Sequence, residues 1–198
     1  MTTSILRAVF LTATIAVATI ATASGAAVGK PAPDFTLTDS SGHELSLADL
    51  EGKVVVLEWL NPDCPFVQRH YREGTMKRLE AAYADKGVVW LTVNSTHYMD
   101  AKVSAAFAEA QEIDWPILID QDGTVGRAYG AQTTPHMFVI DGRGTVVYAG
   151  AIDDDPRGSK PAVERTDYVA QALDEVLAGK PVATPETKPY GCSVKYAK

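Results

Sequence analysis

The chain has 198 residues, a formal charge of −7, 46% apolar residues and 22% charged ones. That length allows one domain with a real core and excludes two large ones. The composition is that of an ordinary globular protein, and the acidic balance excludes nucleic acid or an anionic membrane surface as the natural partner.

Residues 1–26 stand apart. Arg7 precedes an apolar run of Ala, Val, Phe, Leu, Ile and Thr that ends among the small residues Ala21, Ala23, Ser24 and Ala26. This pattern predicts a secretory signal peptide with its cleavage site, without a stable membrane anchor, and a periplasmic or extracellular location. In an oxidising compartment the two cysteines, Cys64 and Cys192, have disulfide chemistry open to them.

After the extended segment Val28–Phe35, the stretches Phe35–Thr38 and Glu44–Leu47 flank Ser40-Ser41-Gly42 and predict a β-hairpin. Ser46–Leu50 reads as one helical turn. Val54 starts a β-branched apolar run that stops at Asn61-Pro62-Asp63. Val67, Tyr71, Thr75, Leu79 and Tyr83 then recur every four residues as the buried face of a long helix, with Gly74 marking a bend. Val88–Asn94 and Trp115–Ile119 read as strands, separated by a helix striped with Val103, Ala106, Phe107 and Ala110. A helical turn at Val125–Tyr129 precedes strands at His136–Ile140 and Thr145–Tyr148, joined by Asp141-Gly142-Arg143-Gly144. Val169–Leu177 forms the last helix, stopped by Gly179 and Pro181. The order predicts an α/β fold with a central mixed sheet, helices on both faces, an N-terminal hairpin and an extended C-terminal tail. The domain is expected over 28–179 and the proline-containing tail over 180–198.

The stretch Val54–Val67 is the centre of this layout. Cys64 and Pro65 sit where the strand gives way to a helix, facing the free N–H groups and positive dipole end of that helix. Thiol pKa values at such sites fall to about 3.5–7.5. Cys64 is therefore the expected nucleophile, against the alternative of a small buried hydrophobe.

G-K-P-A-P-D-F-T-L-T-D at 29–39, G-K-V-V-V-L at 52–57, C-P at 64–65 and T-P-H-M-F-V-I-D at 134–141 together resemble the thioredoxin fold. More narrowly they resemble its alkyl hydroperoxide reductase/thiol-specific antioxidant (redoxin) branch. The resemblance implies that Cys64 is catalytic and that Pro135 is a cis proline facing it. It also implies that the Thr134 backbone touches substrate and that Asn61 and Pro65 border the substrate site. The implied substrate is a protein disulfide or a peroxide, with an external thiol as reductant and no cofactor. Two positions depart from the family. Val67 stands where thioredoxins carry their second cysteine, and Asn61 stands where peroxiredoxins carry threonine. Arg127 is the one candidate for a peroxide-binding arginine. Without these signals disulfide exchange is favoured over peroxide reduction. The alternative is an inactive binding module that recruits partner segments at the Pro135 edge.

A second thiol is needed, and Cys192 is the candidate within the chain. Thirteen residues separate it from Gly179, a reach of about 40 Å at ~3.3 Å each. The reach allows Cys192 to pair with Cys64; a spare cysteine in a loose tail is the other reading. His43, His70, His97 and His136 are scattered, so no metal site is expected, and His136 is expected to face outward. Asp153-Asp154-Asp155 reads as a solvated loop end, and Glu58 as an outward residue near the end of its strand, with a buried proton relay as the other reading.

Overall fold

The structure, a computed structural model, describes residues 25–198. The predicted signal segment lies outside the described residues except for Gly25 and Ala26. The elements are β1 (Thr36–Thr38), β2 (Glu44–Ser46), β3 (Val54–Trp59), α1 (Pro65–Arg72), α2 (Thr75–Tyr83), β4 (Val88–Asn94) and α3 (Ala101–Gln111). They continue with β5 (Ile117–Ile119), α4 (Thr124–Tyr129), β6 (Thr133–Thr134), β7 (Met137–Ile140), β8 (Val146–Gly150), α5 (Tyr168–Leu177) and β9 (Cys192–Ser193).

Five strands form the central sheet in the order β5-β4-β3-β7-β8. β3, β4 and β5 run parallel, while β7 is antiparallel to both β3 and β8. β1 and β2 form the expected hairpin. This is the mixed sheet of a thioredoxin-like α/β fold. Two layers of side chains cover it. Along β3, Val55, Leu57 and Trp59 join one layer with Phe35, Val93, Tyr129 and Phe138. Val56 enters the other with Val67, Tyr71, Leu79, Val169 and Leu173 from the helices. Each such side chain stabilises the fold by about 1.5–3 kcal/mol on full burial.

The expected long helix is two. Gly74, at φ 69°, takes the left-handed conformation between α1 and α2, so the chain turns there instead of bending. Three other expectations are corrected. Glu58 is fully buried, because β3 is the middle strand and has no outward face. His136 is buried for the related reason that it enters β7 between two neighbouring strands. Asp153 and Asp155 are also buried. Asp155 accepts the Ser159 and Lys160 amides at 2.9 Å each and lies 3.1 Å from Arg165.

The C-terminal segment is seated on the domain. Residues 185–187 run along β8, where the Ala149 amide donates to the Pro185 carbonyl and the Thr187 amide to the Ala149 carbonyl, each at 3.1 Å. The chain then crosses to β6, where β9 pairs antiparallel with Thr134 opposite Cys192 and Thr133 opposite Ser193. Among the described residues no helix is long and apolar enough to cross a membrane.

Candidate active site

The sequence Asn61-Pro62-Asp63 ends β3 in a turn. The Asn61 side-chain oxygen accepts the Asp63 amide at 2.8 Å, and the Asn61 carbonyl accepts the Cys64 amide at 3.0 Å. Pro65 fills the first helical position, where a missing N–H costs nothing, and Cys64 becomes the N-cap. Gln68 closes the turn by donating to the Pro62 carbonyl at 2.9 Å. Asn61 thus builds the turn that presents Cys64.

Cys64 is 1% exposed and lies against the loop before β7. Its thiol donates to the Thr134 carbonyl at 2.9 Å, and the Thr134–Pro135 peptide bond is cis. The Thr134 hydroxyl is buried and has no hydrogen-bond partner among the described residues. Burial pushes the Cys64 thiol up. The Thr134 side chain, the Val67 amide, and the thiol and amide of Cys192 favour the thiolate, and together they outweigh burial, so the pKa falls below that of an ordinary thiol. Burial raises the Cys192 thiol to about 11, and the hydrogen bond and charge of Cys64 add to the effect. The two thiols therefore differ in kind: Cys64 is the more acidic and Cys192 the less acidic. Both are free cysteines.

The structure brings Cys64, Thr134, Pro135, Pro65, Asn61 and Cys192 into one site at the carboxyl end of β3, where open α/β sheets gather their chemistry. Arg127 is engaged elsewhere. Its guanidinium donates to the Asp122 and Ala197 carbonyls at 2.7 Å each and covers the Tyr196 ring at 4.7 Å. His136 serves the loop: Nδ1 accepts the Gln132 amide at 3.2 Å, and burial lowers its pKa to about 4, so the ring is neutral.

Two groups of residues lie beside the site, Glu58 in the buried setting that was the other reading of the sequence and Tyr190 in one that was not anticipated. Under α1, Glu58 accepts hydrogen bonds on Oε2 from Tyr71 at 3.0 Å and from Trp90 and Thr92 at 3.3 Å each. Its Oε1 has no partner, and burial raises its pKa to about 7. Beside the tail, the Tyr190 hydroxyl donates to Asp153, meets His70 Nε2 at 3.0 Å and accepts from Arg69 at 3.3 Å. Its ring lies near Phe66 and under the Arg69 guanidinium. The one signal in the sequence was the spacing of Tyr190 two residues before Cys192.

Comparison with known proteins agrees with this geometry. The family model described as AhpC/TSA family matches residues 28–149. The chain is 39% identical over 121 residues to the thiol-disulfide oxidoreductase ResA of Geobacillus kaustophilus, covering 61% of this chain and 67% of that protein. It superposes on an uncharacterized conserved protein from the same organism with a TM-score of 0.79 at 31% identity, covering 86% and 93% of the two chains. A putative thiol:disulfide interchange protein DsbE from Chlorobium tepidum gives a TM-score of 0.64 at 25% identity over 77% and 99%. From the match over 28–149, the thioredoxin-like sheet and the cysteine at the carboxyl end of β3, the chain belongs to the AhpC/TSA family.

Proposed function

We propose that this protein is an exported thiol–disulfide oxidoreductase in which Cys64 is the nucleophile and Cys192 the resolving thiol. The pairing of Thr134 with Cys192, which sets both sulfurs at one edge, is the observation that carries the reading. The Cys64 thiolate attacks one sulfur of a substrate disulfide, forming a mixed disulfide and releasing the other sulfur as a thiolate. Cys192 then loses its proton and attacks Cys64, the Cys64–Cys192 disulfide forms, and the substrate leaves fully reduced. An external thiol returns the pair to the dithiol. The mixed disulfide removes the hydrogen bond and charge of Cys64 that add to burial in raising the Cys192 thiol, so Cys192 becomes more acidic after the first step has occurred. The apolar N-terminal run supports export, and an oxidising compartment supplies the disulfides.

Disulfide exchange is preferred over peroxide reduction because Arg127 is committed to the tail and the curated relative named above is a disulfide oxidoreductase. The paired thiols favour turnover over a binding module. Non-reducing peptide mass spectrometry after exposure to a protein disulfide should yield a Cys64–Cys192 peptide pair, and Cys64→Ser should reduce no substrate above background. Full activity of Cys64→Ser in disulfide reduction would overturn the proposal.

A further inference from the structure

With its tail seated, the site is closed to a protein. Cys64 and Thr134 are each 1% exposed, and the β6 edge that Thr134 offers is already paired with β9. The tail is held on both sides of Cys192. On one side Tyr190 enters the pocket of Arg69, His70, Asp153 and Phe66. On the other, the Val194 amide donates to the Gln132 carbonyl at 3.0 Å, the His97 amide to the Lys195 carbonyl at 2.9 Å, and the Tyr196 hydroxyl to the Ala131 carbonyl at 2.9 Å. Between these anchors Gly191 has φ 142°, and a Cβ there would fall 2.1 Å from the Thr134 carbonyl oxygen.

We propose that residues 190–196 are a tethered stand-in for the protein substrate, and that the partner segment displacing them is an extended strand reading aromatic–Gly–Cys. The proposal rests on the reading of Cys64 as nucleophile and adds what the edge recognises and what must leave first. Three features define the partner. The Thr134 backbone requires an extended strand pairing antiparallel at its cysteine. The close approach at the Thr134 carbonyl requires glycine just before that cysteine. The pocket of Arg69, His70 and Asp153 takes a ring with a polar tip two residues before it. The tail occupies the same edge from a tether, at an effective concentration of the order of mM, so a free partner competes against a high local concentration. A small disulfide needs only the sulfur and is less hindered.

The test uses the full chain carrying Cys192→Ser, so that Cys64 is the one thiol. Its substrates are a heptapeptide with the sequence of residues 190–196 bearing 5-thio-2-nitrobenzoate on its cysteine, and the same leaving group on 2-mercaptoethanol. Cys64 forms the new disulfide with the peptide or mercaptoethanol sulfur, the old S–S bond breaks, and thionitrobenzoate departs as the measured anion. The ratio of peptide rate to mercaptoethanol rate cancels the thiolate fraction of Cys64. Adding Tyr196→Ala or, separately, Tyr190→Ala should free the edge and raise this ratio about tenfold. In either background, alanine in place of the peptide's glycine should slow the peptide reaction about tenfold. The two anchors lie on opposite sides of Cys192, so if one variant loses its unfolding transition the other still decides. A ratio unchanged by a folded variant, or a peptide indifferent to its glycine, overturns the proposal. If the mercaptoethanol disulfide fails to react with Cys64 in every variant, the nucleophile reading itself is what fails.

Discussion

The two regions that carry the cysteines are built in opposite ways. Around Cys64 the site is made of local, buried structure: a central strand, a three-residue turn and a proline-capped helix, all within residues 54–72 and set into the core. Around Cys192 the packing is partial: Tyr190, Cys192 and Val194 lie half-buried against the rims of the two side-chain layers. A half-exposed strand of two residues is held by single side chains and amides that reach elements 60 to 120 residues away in the chain. The first region is fixed by the energy that folds the domain. The second is fixed by this partial packing and by a few polar contacts, each of the latter worth about 0.5–1.5 kcal/mol, and so opens more cheaply than the domain unfolds. Changes near Cys64 should therefore register in stability, and changes in the tail should register in the reaction with little movement of Tm.

The largest effect is expected from Cys192→Ser. With the tethered thiol gone, the mixed disulfide on Cys64 is resolved only by thiol from solution. Against an effective concentration of the order of mM for the tethered thiol, about 10 μM external thiol should resolve it about a hundredfold more slowly. Stopped-flow measurement of substrate release after mixed-disulfide formation gives the rate. A resolution rate equal to the native one would remove Cys192 from the reaction and leave the tail as a cover alone.

Glu58→Gln tests the other region through stability. The Glu58 carboxyl titrates at about 7 in the folded protein against 4.5 as its ordinary value. Between those values the folded state binds a proton that the unfolded state has lost, so its contribution to stability is full below pH 4.5 and is lost as pH rises through 7. The shift corresponds to about 3 kcal/mol. Denaturant unfolding at pH 4.5 and pH 8 should show the native chain losing about 3 kcal/mol more than the variant over that interval. Equal pH dependence of the two proteins would mean that Glu58 is ionised when folded. The same variant should leave the seating of β9 unchanged, since none of its three hydrogen-bonding neighbours, Tyr71, Trp90 and Thr92, belongs to the tail.

This contrast also explains which parts were legible in the sequence. The strand, turn and helix start at Val54–Pro65 are written in adjacent residues: a β-branched run, Asn-Pro-Asp, then Cys-Pro. The burial of Glu58 was not, because an acid within an apolar run looks the same whether its face of the sheet is open or covered. That depends on β4 and β7 lying on either side. Asp153 and Asp155 misled for a related reason, since three successive carboxylates look solvated until Tyr190, Arg165 and the Ser159 and Lys160 amides are brought to them. The prolines at 181, 185 and 189 did indicate an extended tail of sufficient reach. That it could reach Cys64 was legible; the pockets that hold it were not, because they are assembled from α1, the loop after β8 and the segment before the cis proline.

Gly191→Ala presses on the weak side of the comparison. A methyl group 2.1 Å from the Thr134 carbonyl, on a backbone at φ 142°, forces the tail off β6 or the loop out of place. Strain of this kind costs about 1–3 kcal/mol. At about 2 kcal/mol the Cys64–Cys192 disulfide should become roughly thirtyfold easier to reduce in a dithiothreitol equilibrium, with Tm changed by no more than a degree or two. A large fall in Tm would show that the tail is part of the folding unit, and the distinction between the two regions would collapse.

The smallest effect, and the finest test, is Tyr190→Phe. The ring still fits between Phe66 and the Arg69 guanidinium, so the apolar part of the anchor survives. What is lost is one hydroxyl that joins Asp153, His70 and Arg69. Arg69 still reaches the Asp155 carbonyl at 3.0 Å, and burial already holds His70 neutral with its pKa at about 4, so neither becomes an uncompensated charge. The net cost should be about 1 kcal/mol, a roughly fivefold drop in the same dithiothreitol equilibrium. If the drop matches that of Tyr190→Ala, the hydroxyl carries the anchor and the pocket reads the polar tip of the ring. If Tyr190→Phe is silent while Tyr190→Ala is not, packing alone holds the tail, and the buried cluster of Arg69, His70 and Asp153 stabilises the domain without selecting what docks on it.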